Sequence, residues 1–283
     1  MAAIGKSRRR STRPLLHKQK RAGVTVQEES PPKAPVDAAV KTLGKALNIL
    51  EVFASNHQPL TVAEVALKAG MSRPTVHRLI QTLVSHGYLT LNTRDGRISP
   101  GYSVLRLASA LLDTDQLRLE SLPYLERLAQ SCGERANLGI IHQNQLLYLA
   151  GVEKPNLPMI YSRFGKTSPA YCAALGKAIL ANWDEARLES YLNATALEPK
   201  TANTITDPDA LRRHLAEIKE RGYAFDCEEH NVGVYCLASP IAVRSEVVGA
   251  IGVTGRSKEA LKPHIQTVQH IAEVISHILS RGS

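Results

Sequence analysis

The chain has 283 residues, 43% of them hydrophobic, and a formal net charge of +9. That is enough polypeptide for one or two domains with substantial cores, and the charge favours a polyanionic partner. No apolar run approaches the roughly 18 residues of a membrane span, the start lacks a secretory signal, and Cys132, Cys172, Cys227 and Cys236 stand far apart with no CxxC spacing; membrane anchors, zinc ribbons and disulfide frameworks are disfavoured, and a reducing cytoplasm is expected.

Residues 1–39 read as a disordered basic tail. Lys6, Arg8, Arg9, Arg10, Arg13, Lys18, Lys20 and Arg21 come with no acid among the first 21 residues, and Pro31, Pro32 and Pro35 follow. Its composition is also that of an organelle transit peptide, but it has no amphipathic apolar face. Such a tail adds phosphate contacts without sequence choice.

Residues 40–101 form the first expected domain. Lys41–Ser55 is a helix whose Leu43, Ala46, Leu47, Leu50, Phe53 and Ala54 recur at helical spacing. Thr61 and Glu64 make a capping box, Val62, Val65, Ala66 and Ala69 supply a stripe, and Gly70 supplies a left-handed stop. Ser72 is placed to cap the next helix, with Pro74 in its first turn and Val76, Leu79, Ile80 and Leu83 inward. Arg73, Thr75, His77, Arg78 and Gln81 are left outward, a face suited to base edges and phosphates; the bland alternative is a generic basic surface helix. Tyr88–Asn92 and Arg97–Ser99 then flank a turn in which Asp95-Gly96 suggests a two-residue hairpin, with Arg94 and Arg97 beside it as phosphate contacts. The order is that of a winged helix-turn-helix on double-stranded DNA.

Residues 102–116 are an expected linker helix, with Val104, Leu105, Ala108, Leu111 and Leu112 on one side. Such a stripe pairs with a second copy, packs on the next domain or only closes the first domain. Ser121 reads as the cap of a further helix with Pro123 at its start, ending at Cys132-Gly133. Residues 117–281 then alternate strands and helices, the composition of an α+β sensor-like domain. Asn137–His142 and Leu146–Ala150 make a hairpin; Met159–Arg163 is a strand; Ala173–Trp183 and Glu185–Leu192 are helices. Thr206 and Asp209 cap Asp207–Arg221, which Gly222 ends. Val234–Ile241 and Val247–Thr254 are strands, and Lys258–Leu279 is a long closing helix.

Little here suggests catalysis. Asp226, Glu228 and Glu229 form an acid cluster that fits turn capping better than paired-carboxylate chemistry. Cys236 lies in an apolar run with no basic neighbour in sequence to lower its pKa. His214, His230 and His264 lack metal-ligand spacing, so neither a metal nor another cofactor is implied. Gly249 and Gly252 in a strand suggest close approach of backbone or ligand.

Two segments carry a resemblance. One runs Arg163-Phe164-Gly165, Pro169-Ala170-Tyr171 and Ala174-Leu175-Gly176-Lys177-Ala178-Ile179-Leu180-Ala181. The other runs Gly222-Tyr223-Ala224-Phe225-Asp226-Cys227-Glu228-Glu229 and Gly233-Val234-Tyr235-Cys236-Leu237-Ala238-Ser239-Pro240-Ile241. From about Val40 to the C-terminus the chain resembles the IclR family of bacterial transcriptional regulators. The resemblance implies an N-terminal winged helix-turn-helix, a linker helix and a GAF-like effector domain with an antiparallel sheet flanked by helices. It implies homodimers, often paired into tetramers, that repress or activate promoters in response to a small organic acid or aromatic effector. The family's effector positions fall here on Ala174, Leu175, Asp226, Cys236, Gly252 and Thr254, with Met159 as apolar wall. Gly252 in place of a hydroxyl residue suggests room for a bulkier ligand. Two other functions compete: a cysteine-dependent redox enzyme, which needs a low-pKa thiolate, and a constitutive DNA-binding protein whose second domain only oligomerises.

Overall fold

The computed structural model describes residues 40–56, 58–153 and 164–282. Three helices open the chain: α1 (Lys41–Ala54), α2 (Val62–Ala69) and α3 (Arg73–Ser85). The capping box of α2 forms with both of its bonds, and Gly70 ends the helix at φ 63°. Ser72 occupies the cap position of α3, but its hydroxyl bonds Thr75 Oγ1 at 2.9 Å instead of a backbone N–H. Ile49, Val52, Phe53, Val65, Ala66, Val76 and Ile80 close a small core. In α1 the inward face is therefore Ile49, Val52 and Phe53, whereas the expected Leu43 and Leu47 are exposed: α2 and α3 reach only the C-terminal half of this helix.

The wing pairs β1 (Leu89–Leu91) with β2 (Ile98–Pro100), Leu91 opposite Ile98, and Leu60 bridges to Ile98. The two-residue Asp-Gly turn does not form. Asn92 N–H donates to Arg97 O at 2.8 Å and Gly96 N–H to Asn92 O at 2.9 Å, giving a four-residue loop, 93–96. The Asn92 and Asp95 side chains accept from the N–H groups of Arg94 and Arg97, each at 3.0 Å; these local acceptors favour the wider loop. Helix α4 (Tyr102–Leu112) follows and buries no residue.

Helix α5 (Gln116–Cys132) starts earlier than the sequence suggests. Asp115 caps it by accepting from Arg118 N–H at 2.7 Å, while Ser121 is fully buried inside the helix. A six-stranded antiparallel sheet follows, in the order β5-β4-β3-β8-β7-β6: β3 (Arg135–His142), β4 (Gln145–Val152), β5 (Thr167–Pro169), β6 (Ala224–Cys227), β7 (Tyr235–Val243) and β8 (Glu246–Gly255). The β3–β4 and β7–β8 turns are two residues long, with positive φ at Gln143, Asn144, Arg244 and Ser245. Strands β5 and β6 were not expected; the expected strand Met159–Arg163 lies outside the described residues.

Between β5 and β6 come α6 (Ala174–Leu180), α7 (Glu185–Ala194) and α8 (Pro208–Arg221); α8 is capped by Asp207 rather than Thr206. The closing segment is interrupted: α9 (Lys258–Leu261), a 3-10 turn holding Pro263, then α10 (Ile265–Gly282). One face of the sheet packs on α5 and α10 through Leu125, Leu138, Ile251, Val253, Val268 and Ile275. The other packs on α6, α7 and α8 through Leu180, Tyr191, Leu211, Leu215, Ala238 and Ala250. The result is the expected mixed α+β arrangement.

Candidate nucleic-acid interface and ligand cavity

Helix α3 separates its two faces sharply. Val76 and Ile80 are 0% and 4% exposed, while Ser72, Arg73, His77, Arg78 and Gln81 are exposed and Thr75 is half-buried. Arg73, His77, Arg78 and Gln81 thus share a solvent face of one helix, with the exposed Ser72 at its cap. The wing arginines part company. Arg94 is exposed on the loop. Arg97 turns back: its Nη1 donates to Pro59 O at 2.8 Å and lies 3.7 Å from Glu64 Oε2, the carboxylate that also holds the α2 cap. Arg97 is exposed as well, and from there it braces the wing against α2.

In the C-terminal part, Ala174, Leu175, Asp226, Cys236, Gly252 and Thr254 come together in the wall of one cavity, with Asn137, Tyr148, His230, Asn231 and Val234 among the other lining residues. Met159 lies outside the described residues. The cavity measures about 390 Å³ out to its mouth. The glycine does not widen it. A Cβ on Gly252 would fall 2.2 Å from Leu237 O and 2.8 Å from Ala238 Cα. Gly252 is small because β7 crowds it, so it offers no argument for a bulky ligand.

Sequence matches decide the family. The IclR helix-turn-helix profile matches residues 42–92, and the profile described as bacterial transcriptional regulator IclR C-terminal matches residues 109–280. The chain belongs to the IclR family. It is similar to the regulator BhcR of Paracoccus denitrificans, at 34% identity over 76% of this chain and 77% of that protein. Its fold is similar to the crystal structure of Thermotoga maritima IclR, at 31% identity, 84% and 98% coverage and a TM-score of 0.64. It is also similar to an IclR homologue from Microbacterium hydrocarbonoxydans solved with 4-hydroxybenzoate, at 25% identity, 86% and 100% coverage and a TM-score of 0.72. As an IclR-type transcriptional regulator the chain is a DNA-binding protein of the helix-turn-helix class.

This chain also holds a buried cluster that sequence reasoning missed. Lys177 of α6 is 0% exposed; its ammonium is paired with Glu229 Oε1 and lies 3.3 Å from His214 Nε2 on α8. The partner carboxylate sits in the β6–β7 loop. That loop is further held by Thr201 and Thr204, whose hydroxyls donate to Glu228 O and Glu229 O, each at 2.6 Å. Glu228 caps the loop from within, accepting from Gly233 N–H and Tyr235 O–H at 2.7 Å each. The pair thus ties α6, which supplies Ala174 and Leu175, to the loop that supplies His230, Asn231 and Val234. A lone lysine inside the apolar run 173–181 was the available signal.

Burial raises the Asp226 carboxyl to about 6 against the N–H of Glu229, which donates to its Oδ1 at 2.8 Å. Burial, then the Lys177 ammonium, lowers His214 to about 4. Burial also raises Cys132 to about 11 and Cys172 to about 12, and raises Cys227. Burial thus favours the protonated form of these three thiols, whereas redox chemistry works through a thiolate. Among the described residues no group of three or more His, Cys, Asp or Glu is arranged to hold a metal, and no helix is long and apolar enough to cross a membrane.

Proposed function

We propose that this chain is a cytoplasmic, homodimeric regulator of a catabolic operon that releases or engages promoter DNA when a small organic acid or aromatic effector enters the cavity. Residues 40–101 serve as the DNA-binding domain, 102–116 as the linker and 117–281 as the effector domain. The observation that carries the reading is the polar, exposed face of α3 against its buried Val76 and Ile80. On it Arg73 or Arg78 is positioned to grip guanine bidentately, with Ser72, Thr75, His77 and Gln81 alongside; Arg94 meets the backbone. Two copies present two such helices to successive major grooves. The exposed Leu105 and Leu111 of α4, at 64% and 62%, suit pairing with a second copy. An effector works only through different affinities for two arrangements of that dimer.

The test is fluorescence anisotropy with the promoter fragment selected from the host genome by the wild-type protein. Arg78→Ala is expected to lose at least about tenfold of specific affinity, the value of one bidentate base contact, with unchanged circular dichroism. Operator affinity equal to wild type in both Arg78→Ala and Arg73→Ala refutes the assignment of this face.

A further inference from the structure

The cavity floor contains a polar group whose bonding is incomplete. Asn137 of β3 is 4% exposed and lines the cavity. Its Nδ2 donates to Thr254 Oγ1 of β8 at 3.2 Å, and Thr254 Oγ1 lies 3.3 Å from Cys236 Sγ of β7. Its Oδ1 has no hydrogen-bond partner among the described residues. Three side chains on adjacent strands thus form a short polar row with an open end. A buried acceptor without a partner costs free energy and is rare in native folds.

The chemistry of that row limits what completes it. An ionised carboxylate offers only acceptors and would leave Oδ1 as it is. An aliphatic carbon would do the same. A hydroxyl donates one bond and accepts another, so it can give to Asn137 Oδ1 and still accept a bond itself. With the amide turned over, the open atom would be a donor that a carboxylate could also meet; a hydroxyl alone answers either orientation. Among the described lining residues there is no lysine or arginine, and the carboxylate of Asp226 faces the same space. Discrimination here therefore rests on hydrogen bonding rather than on an ion pair.

We propose that Asn137 is the specificity-determining residue of this cavity and that its ligand is a small hydroxylated carbon compound whose hydroxyl meets the open amide atom of Asn137, at the end of the row that Thr254 and Cys236 continue. This rests on the reading of the C-terminal domain as an effector sensor. A hydroxy acid and a neutral polyol share the required group, and the probes separate them.

The full-length protein is titrated by calorimetry with three matched pairs: lactate and propionate, 4-hydroxybenzoate and benzoate, glycerol and propanol. In at least one pair the hydroxylated member is expected to bind at least about tenfold more tightly, because the deoxy compound leaves the buried acceptor unpaired. Asn137→Leu is expected to reduce that ratio to about unity while the deoxy compound binds as before. Thr254→Val, which keeps the amide, is a second variant expected to narrow the ratio. Equal affinities within every pair in the wild-type protein overturn the proposal and leave the sensor reading intact. A ratio that survives both substitutions also overturns it. If no member of any pair binds, the sensor reading falls with it.

Discussion

Replacing Lys177 by methionine tests whether the buried ion pair holds the cavity together. Lys177 is 0% exposed and its partner Glu229 only 6%. Without the ammonium, Glu229 Oε1 keeps only a bond from Cys227 N–H at 3.5 Å, and Oε2 has no hydrogen-bond partner among the described residues. Breaking a buried pair in this way costs about 3–5 kcal/mol. For a domain of this size each kcal/mol moves the midpoint by about 2–4 °C, so the loss corresponds to about 6–20 °C. The assay is urea denaturation followed by fluorescence of Trp183, the one tryptophan of the chain, which packs edge-on to Tyr191 in the helical layer beside α6. The informative comparison is the double variant Lys177→Met/Glu229→Leu. Removing both charges leaves no bare carboxylate, and such swaps are often neutral; the double variant is expected within about 2 kcal/mol of wild type. A single variant within about 1 kcal/mol of wild type would falsify the reasoning. A double variant as unstable as the single one would show instead that the lysine's packing, not its charge, is what matters.

Asp226 and His214 predict opposite pH dependences. Between pH 4 and 6 the unfolded chain binds one more proton at His214, whose folded value is lowered to about 4 from 6.5, and one fewer at Asp226, whose folded value is raised to about 6 from 3.8. The two slopes cancel. Relative to wild type, Asp226→Asn should therefore gain stability as pH rises through that window, and His214→Gln should lose it; parallel curves for both variants would rule this out. Gly176→Ala places a Cβ 2.3 Å from Ala170 O and 2.6 Å from Ala170 Cα, and backbone cannot yield as a side-chain tip can. A loss of about 3 kcal/mol or more in the same urea titration is expected, and a loss below about 1 kcal/mol contradicts the close packing. Leu105→Glu with Leu111→Glu puts charge on the unburied α4 stripe. Sedimentation equilibrium should then give the monomer mass with unchanged far-UV circular dichroism, whereas a dimer of wild-type affinity would move the interface elsewhere.

Local rules made most of this fold legible. Thr61 and Glu64 announce a helix start because the capping bonds lie within four residues, and Gly70 and Gly222 announce stops because each must enter the left-handed region. The inner face of the closing segment, Leu261, Ile265, Val268, Ile271, Ala272, Ile275 and Leu279, is read from spacing alone, and all of it is buried except the half-buried Ile265. Errors arise where a tertiary neighbour decides. Strands β5 and β6 are three and four residues long, too short to show an alternation, and exist because β4 and β7 offer them an edge. Leu43 and Leu47 are as periodic as Ile49, yet they stay exposed among the described residues. Ser121 has the right residue type for a cap, but Asp115 had already started the helix.

The same distinction explains the cavity. Its small-residue positions were reachable through resemblance to known regulators, because Ala174, Gly252 and Thr254 sit in recognisable segments. The physical reason for Gly252 was not, since the demand comes from Leu237 O on a neighbouring strand. Lys177 and Asn137 were passed over for one shared reason. Hydropathy patterns score a polar residue in an apolar run as an interruption, whereas the fold treats it as half of a pair whose other half, Glu229 or Thr254, lies 52 or 117 residues away. A polar interruption in a run that must be buried is therefore a prompt to search the rest of the chain for its complement. In this protein both complements lead to the walls of the same cavity.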